Sequence, residues 1–169
     1  MVLQPKFSIF HVQKLKMKKV LFIAMALFFG MKSMAQSKGN YSEADKIEGV
    51  WMIQDKDAKI KIDRAVNGKY YGKIVWLKFP TDANGNPVKD SFNPDPKLKN
   101  REKMGITILN AFVYDADDKE YVDGTVYSSK DGNTYSGYLY LIDKDHLFMK
   151  GYILGMRFLG KENTWTRVE

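Results

Sequence analysis

From Ile47 onward, apolar and polar residues alternate in short runs, with the two-residue period of a half-buried β-strand. In the run 58–63, Ile60 and Ile62 alternate with lysines. Turn signals such as Asn67-Gly68 separate the runs at intervals of roughly 8–12 residues, a spacing typical of antiparallel all-β domains. The pattern predicts about nine strands, at 47–54, 58–63, 69–78, 106–114, 120–129, 134–142, 146–153, 156–160 and 164–168.

Glycines recur inside these runs as well as at turns. In a flat sheet each of them costs stability, whereas a small barrel uses glycine where strands bend or approach closely. We therefore predict an all-β fold, a small antiparallel up-and-down barrel, in preference to a sandwich. The glycines concerned are Gly72, Gly124, Gly137, Gly151 and Gly155.

The alternation stops after the third predicted strand. Residues Phe79–Lys103 contain four of the five prolines, and loops of this length in compact domains are usually functional or mobile. We predict one long loop here, with one or two turns of helix within Pro96–Met104 as an option.

The first and last strands carry a matching pair of residues. Gly49 and Trp51 are two positions apart and face the same side of their strand, and Arg167 lies near the end of the chain. This arrangement resembles the calycin, or lipocalin-like, barrel signature. The resemblance implies that Arg167 covers Trp51 where the barrel closes, a structural cation–π contact and not a ligand site.

An ordered set of motifs resembles the secreted bacterial family known as domain of unknown function 2147. The resemblance covers Ile47–Val168 and implies secretion and a lipocalin-like fold, but it brings no known activity. Lys99 and Lys150 stand where that family usually has arginine. The motifs are Gly49-x-Trp51, Gly72-x-Ile74-x-Trp76-Leu77, Asn93-Pro94-Asp95, Arg101, Gly105-x-x-Ile108-Leu109, Gly124-Thr125-Val126-Tyr127, Gly132-Asn133-Thr134-Tyr135, Lys150-Gly151-Tyr152-Ile153, Leu159-Gly160 and Trp165-Thr166-Arg167.

The N-terminal residues have the pattern of a signal peptide. Lys18-Lys19 precede an apolar run of ten residues at 20–29, and Ser33 and Ala35 supply small residues at the two cleavage-defining positions, so we place the cleavage after Ala35. A retained anchor is the alternative, but spanning a bilayer takes about 20 apolar residues. We predict a start at Met17 after an upstream extension, a tail or short helix at 36–46, and a barrel domain at 47–169.

Removal of residues 1–35 changes the charge. The whole chain has 27 basic and 20 acidic residues, and six of the lysines lie in this segment. The remainder, with 21 basic residues against 20 acidic ones, is nearly neutral, so we predict no nucleic-acid binding. There is no cysteine, which excludes thiol catalysis, thiolate metal sites and a lipoprotein anchor. We therefore expect a secreted or periplasmic bacterial protein.

The long loop supplies the candidate ligand-binding residues, namely Trp76, Asn93, Asp95, Arg101 and Tyr127. Prolines on both sides of Asp95 rigidify the turn. If the loop folds over the barrel mouth, Asp95 and Arg101 form a polar pair facing an aromatic interior with Trp76 and Tyr127, as small-ligand sites require. Alternatively, Asp95 only caps a turn and Arg101 pairs with a nearby acid.

The sequence offers little for catalysis, and we assign no catalytic residue, no metal ligand and no cofactor. A calcium loop formed by 81–86 with Asp90 has Pro87 where glycine is expected and lacks the closing glutamate, so an Asn-Gly turn explains it better. His146 is the single histidine after the signal segment, and there is no Gly-x-Ser-x-Gly motif for a serine nucleophile. A hydrolase using Asp95 and a second carboxylate is the least favoured hypothesis.

Two functional hypotheses stand ahead of catalysis. The favoured one is a binding module for a small apolar or amphipathic ligand held under the long loop. The alternative is an envelope interaction protein with a packed core and a tyrosine-rich outer face for a partner or glycan.

Overall fold

The computed structural model describes residues 42–168. The predicted signal peptide, its cleavage site and most of the predicted tail fall outside these residues.

Eight strands form one closed antiparallel barrel, in which each strand pairs with the next along the chain and the last pairs with the first. The predicted fold class is confirmed, with eight strands in place of nine. A 3-10 helix, η1, spans Glu43–Ile47. The strands are β1 Gly49–Met52, β2 Ala58–Arg64, β3 Tyr70–Leu77, β4 Thr107–Asp115, β5 Glu120–Tyr127, β6 Thr134–Leu141, β7 His146–Tyr152 and β8 Gly160–Arg167.

The predicted strand at 156–160 was wrong, because most of it belongs to the turn between β7 and β8. Leu154 and Gly155 have φ angles of 55° and 70°, which reverse the chain as in a tight hairpin turn. The backbone N–H of Ile153 donates to the carbonyl of Leu159 at 3.2 Å. Gly160 then opens β8.

The seam of the barrel lies between β1 and β8, where Trp51 pairs with Arg167 in register. The Arg167 guanidinium lies 4.1 Å from the centroid of the fully buried Trp51 ring. It also donates hydrogen bonds to the carbonyls of Glu48 and Lys46, at 2.8 and 2.6 Å. Gly49 has a φ of 137°, a conformation that side-chain-bearing residues rarely adopt.

Helix η1 covers one end of the barrel, which we call the closed end. The Tyr121 hydroxyl donates to the Ala44 carbonyl at 2.6 Å, and the Tyr70 hydroxyl donates to the Asp45 carboxylate at 2.8 Å. The connections β2–β3, β4–β5 and β6–β7 reach this end, since they alternate with the others in an up-and-down barrel. Of the two predictions for this segment, a tail or a short helix, the described residues contain a short helix, η1.

Large buried side chains fill this half of the barrel. Phe112 is buried, and a Cβ at Gly124 would overlap its ring. The predicted close approach is present at Gly124, and likewise at Gly72 and Gly137, whereas Gly151 has room for a side chain and Gly155 lies in the turn between β7 and β8. Other fully buried residues here are Trp51, Tyr121, Leu139 and Leu147.

The opposite end, which we call the open end, carries the connections β1–β2, β3–β4, β5–β6 and β7–β8. The β3–β4 connection, 78–106, is the predicted long loop, and a bridge between Lys89 and Glu102 joins its two halves. Turns occupy 96–100, and this described segment contains no helix, so the helical option within Pro96–Met104 was wrong.

Candidate functional site

A cavity of about 700 Å³ extends from the open end into the barrel. Its volume falls in the range of roughly 300–1,000 Å³ that small-molecule sites usually have. All four open-end connections and seven of the eight strands contribute to its wall. The strand residues that line it are Ala58, Ile60, Ile74, Leu77, Ile108, Val126, Tyr127, Tyr135, Met149, Gly151, Lys161, Asn163 and Trp165, together with Gly160.

The inner part of this wall is mainly apolar. Ile60 and Ile74 pair directly across β2 and β3, and Met149 faces in from β7. Strand alternation places these side chains inside while their neighbours point outward. A ligand in this part of the cavity would therefore contact mostly aliphatic surface.

Strand β8 brings polar groups into the cavity at regular steps. Lys161, Asn163 and Trp165 are two positions apart, so all three lie on its inner face, and they run from the exposed mouth to the buried interior. Trp165 is 2% exposed, and its indole N–H has no hydrogen-bond acceptor among residues 42–168. Because a buried donor without a partner carries a desolvation penalty, this N–H favours any acceptor that reaches it.

Ionic groups surround the mouth. The Lys130 ammonium lies 2.7 Å from the Asp55 carboxylate and 3.0 Å from that of Asp57, joining the β1–β2 and β5–β6 connections. The hydrogen bond from Lys130 lowers the pKa of Asp55. In the same contact, the hydrogen bond to Asp55 raises the pKa of Lys130.

A buried polar cluster, which we call the Asp90 cluster, fixes the long loop to the end of β5. Asp90 is fully buried. One carboxylate oxygen accepts from the Tyr127 hydroxyl at 2.7 Å, and the other accepts from the Asn93 amide at 2.8 Å. Arg101 reaches this second oxygen through Nε at 2.9 Å and Nη2 at 2.8 Å. Its guanidinium also lies 5.6 Å from the Tyr127 ring centroid.

The electrostatics of the Asp90 cluster favour the ionised carboxylate. Burial alone would raise the pKa of Asp90, but the hydrogen bonds from Tyr127, Asn93 and Arg101 outweigh it, so the pKa lies below its ordinary value. Burial and the hydrogen bond to Asp90 raise the pKa of Tyr127. The cluster is therefore ion-paired and fully hydrogen-bonded at neutral pH.

Three of the predicted site residues meet in this cluster, namely Asn93, Arg101 and Tyr127, and Tyr127 also lines the cavity. Asp95 is not the partner of Arg101. Its carboxylate accepts from the backbone N–H of Lys97 at 2.9 Å, so it caps a turn, as the alternative interpretation had it. The sequence interpretation considered Asp90 only as part of a disfavoured calcium loop and missed its pairing with Arg101, because no local pattern distinguishes it from the other acids of the loop.

Trp76 lies outside the cavity, on the outer surface of the barrel. A β-bulge is the cause: Ile60 pairs with Ile74 and Lys59 pairs with Trp76, so Val75 and Trp76 together oppose one residue of β2. The extra residue turns Trp76 outward, where it is 37% exposed with the Lys59 ammonium 5.5 Å from its ring. Leu77 lines the cavity in its place.

The outer faces of β6 and β7 carry a group of aromatic side chains. Tyr140 and Phe148 stack with centroids 4.7 Å apart, and Tyr138 contacts Phe148 and Tyr152. The Arg157 guanidinium lies 4.2 Å from the Tyr138 ring. These tyrosines therefore pack on one another on the outer surface, away from the cavity.

The remaining candidate chemistry lies in turns. His146 contacts the Asp143 carboxylate at 2.9 Å in the exposed β6–β7 turn. Asp82 accepts from the backbone N–H groups of Asn84 and Asn86, so the segment 81–86 forms a turn closed by its own contacts, as the sequence favoured over a calcium loop. Among residues 42–168, no group of three potential metal ligands is clustered.

The closed barrel with an internal cavity places this protein in the class of small lipocalin-like proteins. The chain belongs to the family described as "Uncharacterized protein conserved in bacteria (DUF2147)", which it matches over residues 49–167. It is similar to a solved structure, protein HP1028 from the human pathogen Helicobacter pylori, which is described as belonging to the lipocalin family. The sequence identity is 26%, covering 72% of this chain and 82% of that one, with a TM-score of 0.60. No curated protein matches the sequence.

Proposed function

We propose that this protein is an extracytoplasmic binding protein for a small apolar or amphipathic ligand, held in the open-end cavity. The observation that carries the proposal is the cavity itself, about 700 Å³ of mainly apolar space inside a barrel sealed at its far end. A barrel filled by its own side chains, as the interaction-protein hypothesis assumed, is inconsistent with this cavity. The lipocalin-like neighbour supports the same class of function by fold alone.

An amphipathic ligand suits the distribution of polarity along the cavity. Aliphatic residues such as Ile60, Ile74 and Met149 line the interior, whereas Lys103, Lys130 and Lys161 lie around the mouth. The apolar part of such a molecule would enter the barrel, and its polar part would remain among the ionic groups at the rim. Few and well-placed polar groups are what orient ligands in apolar pockets.

The direct test is native mass spectrometry of the mature protein purified from its own envelope, followed by organic extraction. The proposal expects a co-purifying small molecule of matching mass in both experiments. N-terminal sequencing of the same sample tests the predicted cleavage after Ala35.

A cavity-filling variant tests the location of the site. Gly151 lines the cavity, and a Cβ there would meet only ordinary contacts with Tyr135 at 3.6 Å or more. Gly151→Leu should therefore fold, occupy part of the cavity and weaken binding of the fluorescent probe N-phenyl-1-naphthylamine by about tenfold or more.

The matched control is Thr164→Leu, which adds apolar volume at an exposed position of β8 beside the inward-facing Asn163. It should leave probe binding unchanged. Equal probe affinity in the wild type and in a folded Gly151→Leu variant would place the binding site outside the barrel and refute the proposal.

A further inference from the structure

Large apolar side chains surround the cavity mouth on its solvent side. Phe79, in the long loop, is 69% exposed, and Leu154 and Phe158, in the β7–β8 connection, are 82% and 76% exposed. Ile153 and Leu159, beside them, are exposed and also line the cavity. The apolar surface of the interior therefore continues outward onto the loop tips.

The backbone holds one of these tips in an unusual conformation. Leu154 has a φ of 55°, a region that asparagine and glycine occupy far more readily than leucine. An apolar residue at this position gains nothing from burial and adds backbone strain. Stability of the barrel therefore does not account for it, and strained positions of this kind are found at binding sites.

The charges of the two barrel ends differ in sign. The four open-end connections, 53–57, 78–106, 128–133 and 153–159, contain nine basic and seven acidic residues. The closed-end segments, 42–48, 65–69, 116–119 and 142–145, contain four basic and seven acidic residues. The open end is therefore the end that an anionic surface would attract.

Cations at the mouth lie close to the apolar tips. The Lys78 ammonium is 5.5 Å from the ring centroid of Phe79, and Lys103 and Lys161 line the cavity entrance. Within residues 42–168, none of these three lysines makes a salt bridge, unlike Lys130 and Lys89. Lysine beside exposed aromatic and aliphatic side chains is the composition of an interfacial membrane anchor.

We propose that the open end docks onto an anionic lipid bilayer. Phe79, Leu154 and Phe158 enter the interface between headgroups and acyl chains, while the mouth lysines contact lipid phosphates. In this orientation the cavity opens onto the bilayer, so an amphipathic ligand passes between the two without crossing bulk water. This last step rests on the proposed function; the docking itself does not.

The charge pattern favours a bilayer over a second copy of this chain. Two open ends facing one another would bring like net charges together, which opposes association. The apolar tips also project from separate loops around a cavity entrance. This arrangement suits a deformable lipid surface into which each tip inserts independently.

Vesicle co-sedimentation tests the docking. Wild-type protein lacking residues 1–35 should sediment with vesicles of phosphatidylcholine and phosphatidylglycerol, and only weakly with phosphatidylcholine alone or at high salt. The double variant Leu154→Glu/Phe158→Glu should reduce partitioning at least about tenfold. Its control, Val66→Glu/Ile142→Glu, places the same two negative charges at exposed apolar positions of the closed end. Two added negative charges weaken attraction to anionic lipid wherever they lie. Once this general effect is subtracted, the control should partition within about twofold of the wild type.

Probe binding without vesicles separates this proposal from the previous one. The double variant should bind N-phenyl-1-naphthylamine in solution as the wild type does, which also shows that it is folded. Failure of all proteins to sediment, or equal loss in both double variants, would overturn the docking and leave the cavity function intact. A dimer in sedimentation velocity that only Leu154→Glu/Phe158→Glu dissociates would overturn it in favour of self-association.

Discussion

The closed end and the open end of the barrel are built from the same eight strands but are filled differently. Towards the closed end, Trp51, Phe112 and Leu147 fill the interior, and η1 covers it. Towards the open end, Met149 and Gly151 of the same strand as Leu147 face a cavity. The position of a residue along an inward-facing strand therefore decides whether its side chain stabilises the fold or forms a binding surface.

The largest expected difference concerns two tryptophans. Trp51 is fully buried under Arg167, whereas Trp76 lies on the outer surface. Trp51→Ala should lower the free energy of unfolding by about 3–5 kcal/mol, because it removes a large core side chain and leaves a cavity. Trp76→Ala should cost less than about 1 kcal/mol. Urea denaturation of both variants measures the difference, and similar losses would contradict the assignment of the closed end as the main core.

The second comparison lies within β7. Leu147 is fully buried against Trp165, and Met149, two residues further on, lines the cavity. Leu147→Ala should cost about 3 kcal/mol. Met149→Ala should cost less, about 2 kcal/mol at the low end of the range for buried methionine, since a side chain at a cavity wall has fewer neighbours to lose.

For probe binding, the order of the two effects should be reversed, with Met149→Ala having the larger one. Met149→Ala should change the affinity for N-phenyl-1-naphthylamine, whereas Leu147→Ala should alter affinity little at temperatures where it remains folded. If Leu147→Ala changed binding as strongly, the ligand would have to reach into the closed half.

Local sequence patterns were enough to predict the features that depend on strand period and turn chemistry. Alternation such as that of Ile60 and Ile62 located the strands, and the prolines of 79–103 located the long loop. These signals are local, because side-chain direction in a strand follows from position alone. The fold class and family resemblance were confirmed for this reason.

Features that depend on register or on distant partners were not predictable in this way. The bulge opposite Lys59 turns Trp76 outward, and alternation alone cannot reveal one extra residue. Asp90 becomes a buried acid because Arg101 and Tyr127, 11 and 37 positions away, meet it in three dimensions. The predicted strand at 156–160 failed because Leu154 adopts a conformation that leucine rarely takes.

The most local expected effect concerns the Asp90 cluster, which fixes the long loop at the open end. Asp90→Asn removes the carboxylate charge to which Arg101, Tyr127 and Asn93 donate hydrogen bonds. The substitution should destabilise the folded loop by about 1–3 kcal/mol, mostly by local opening of 78–106. Trypsin should then cleave after Lys97 or Lys99 faster than in the wild type. Asp95→Asn is the control within the loop, because Asp95 only caps a turn, and its cleavage rate should stay close to that of the wild type.

Acid should have the same effect on the wild type as the Asp90→Asn substitution. Because the folded-state pKa of Asp90 is depressed, its contribution is fully present above the ordinary aspartate pKa of about 4 and is lost as the pH falls through the lower folded value. Pepsin cleavage within 78–106 should therefore accelerate below about pH 4 in the wild type, beyond the change in pepsin activity measured on an unfolded substrate. Asp90→Asn should already be susceptible at pH 5 and should lack this additional acceleration. Identical pH profiles for the two proteins would show that another carboxylate, and not Asp90, controls the opening of the long loop.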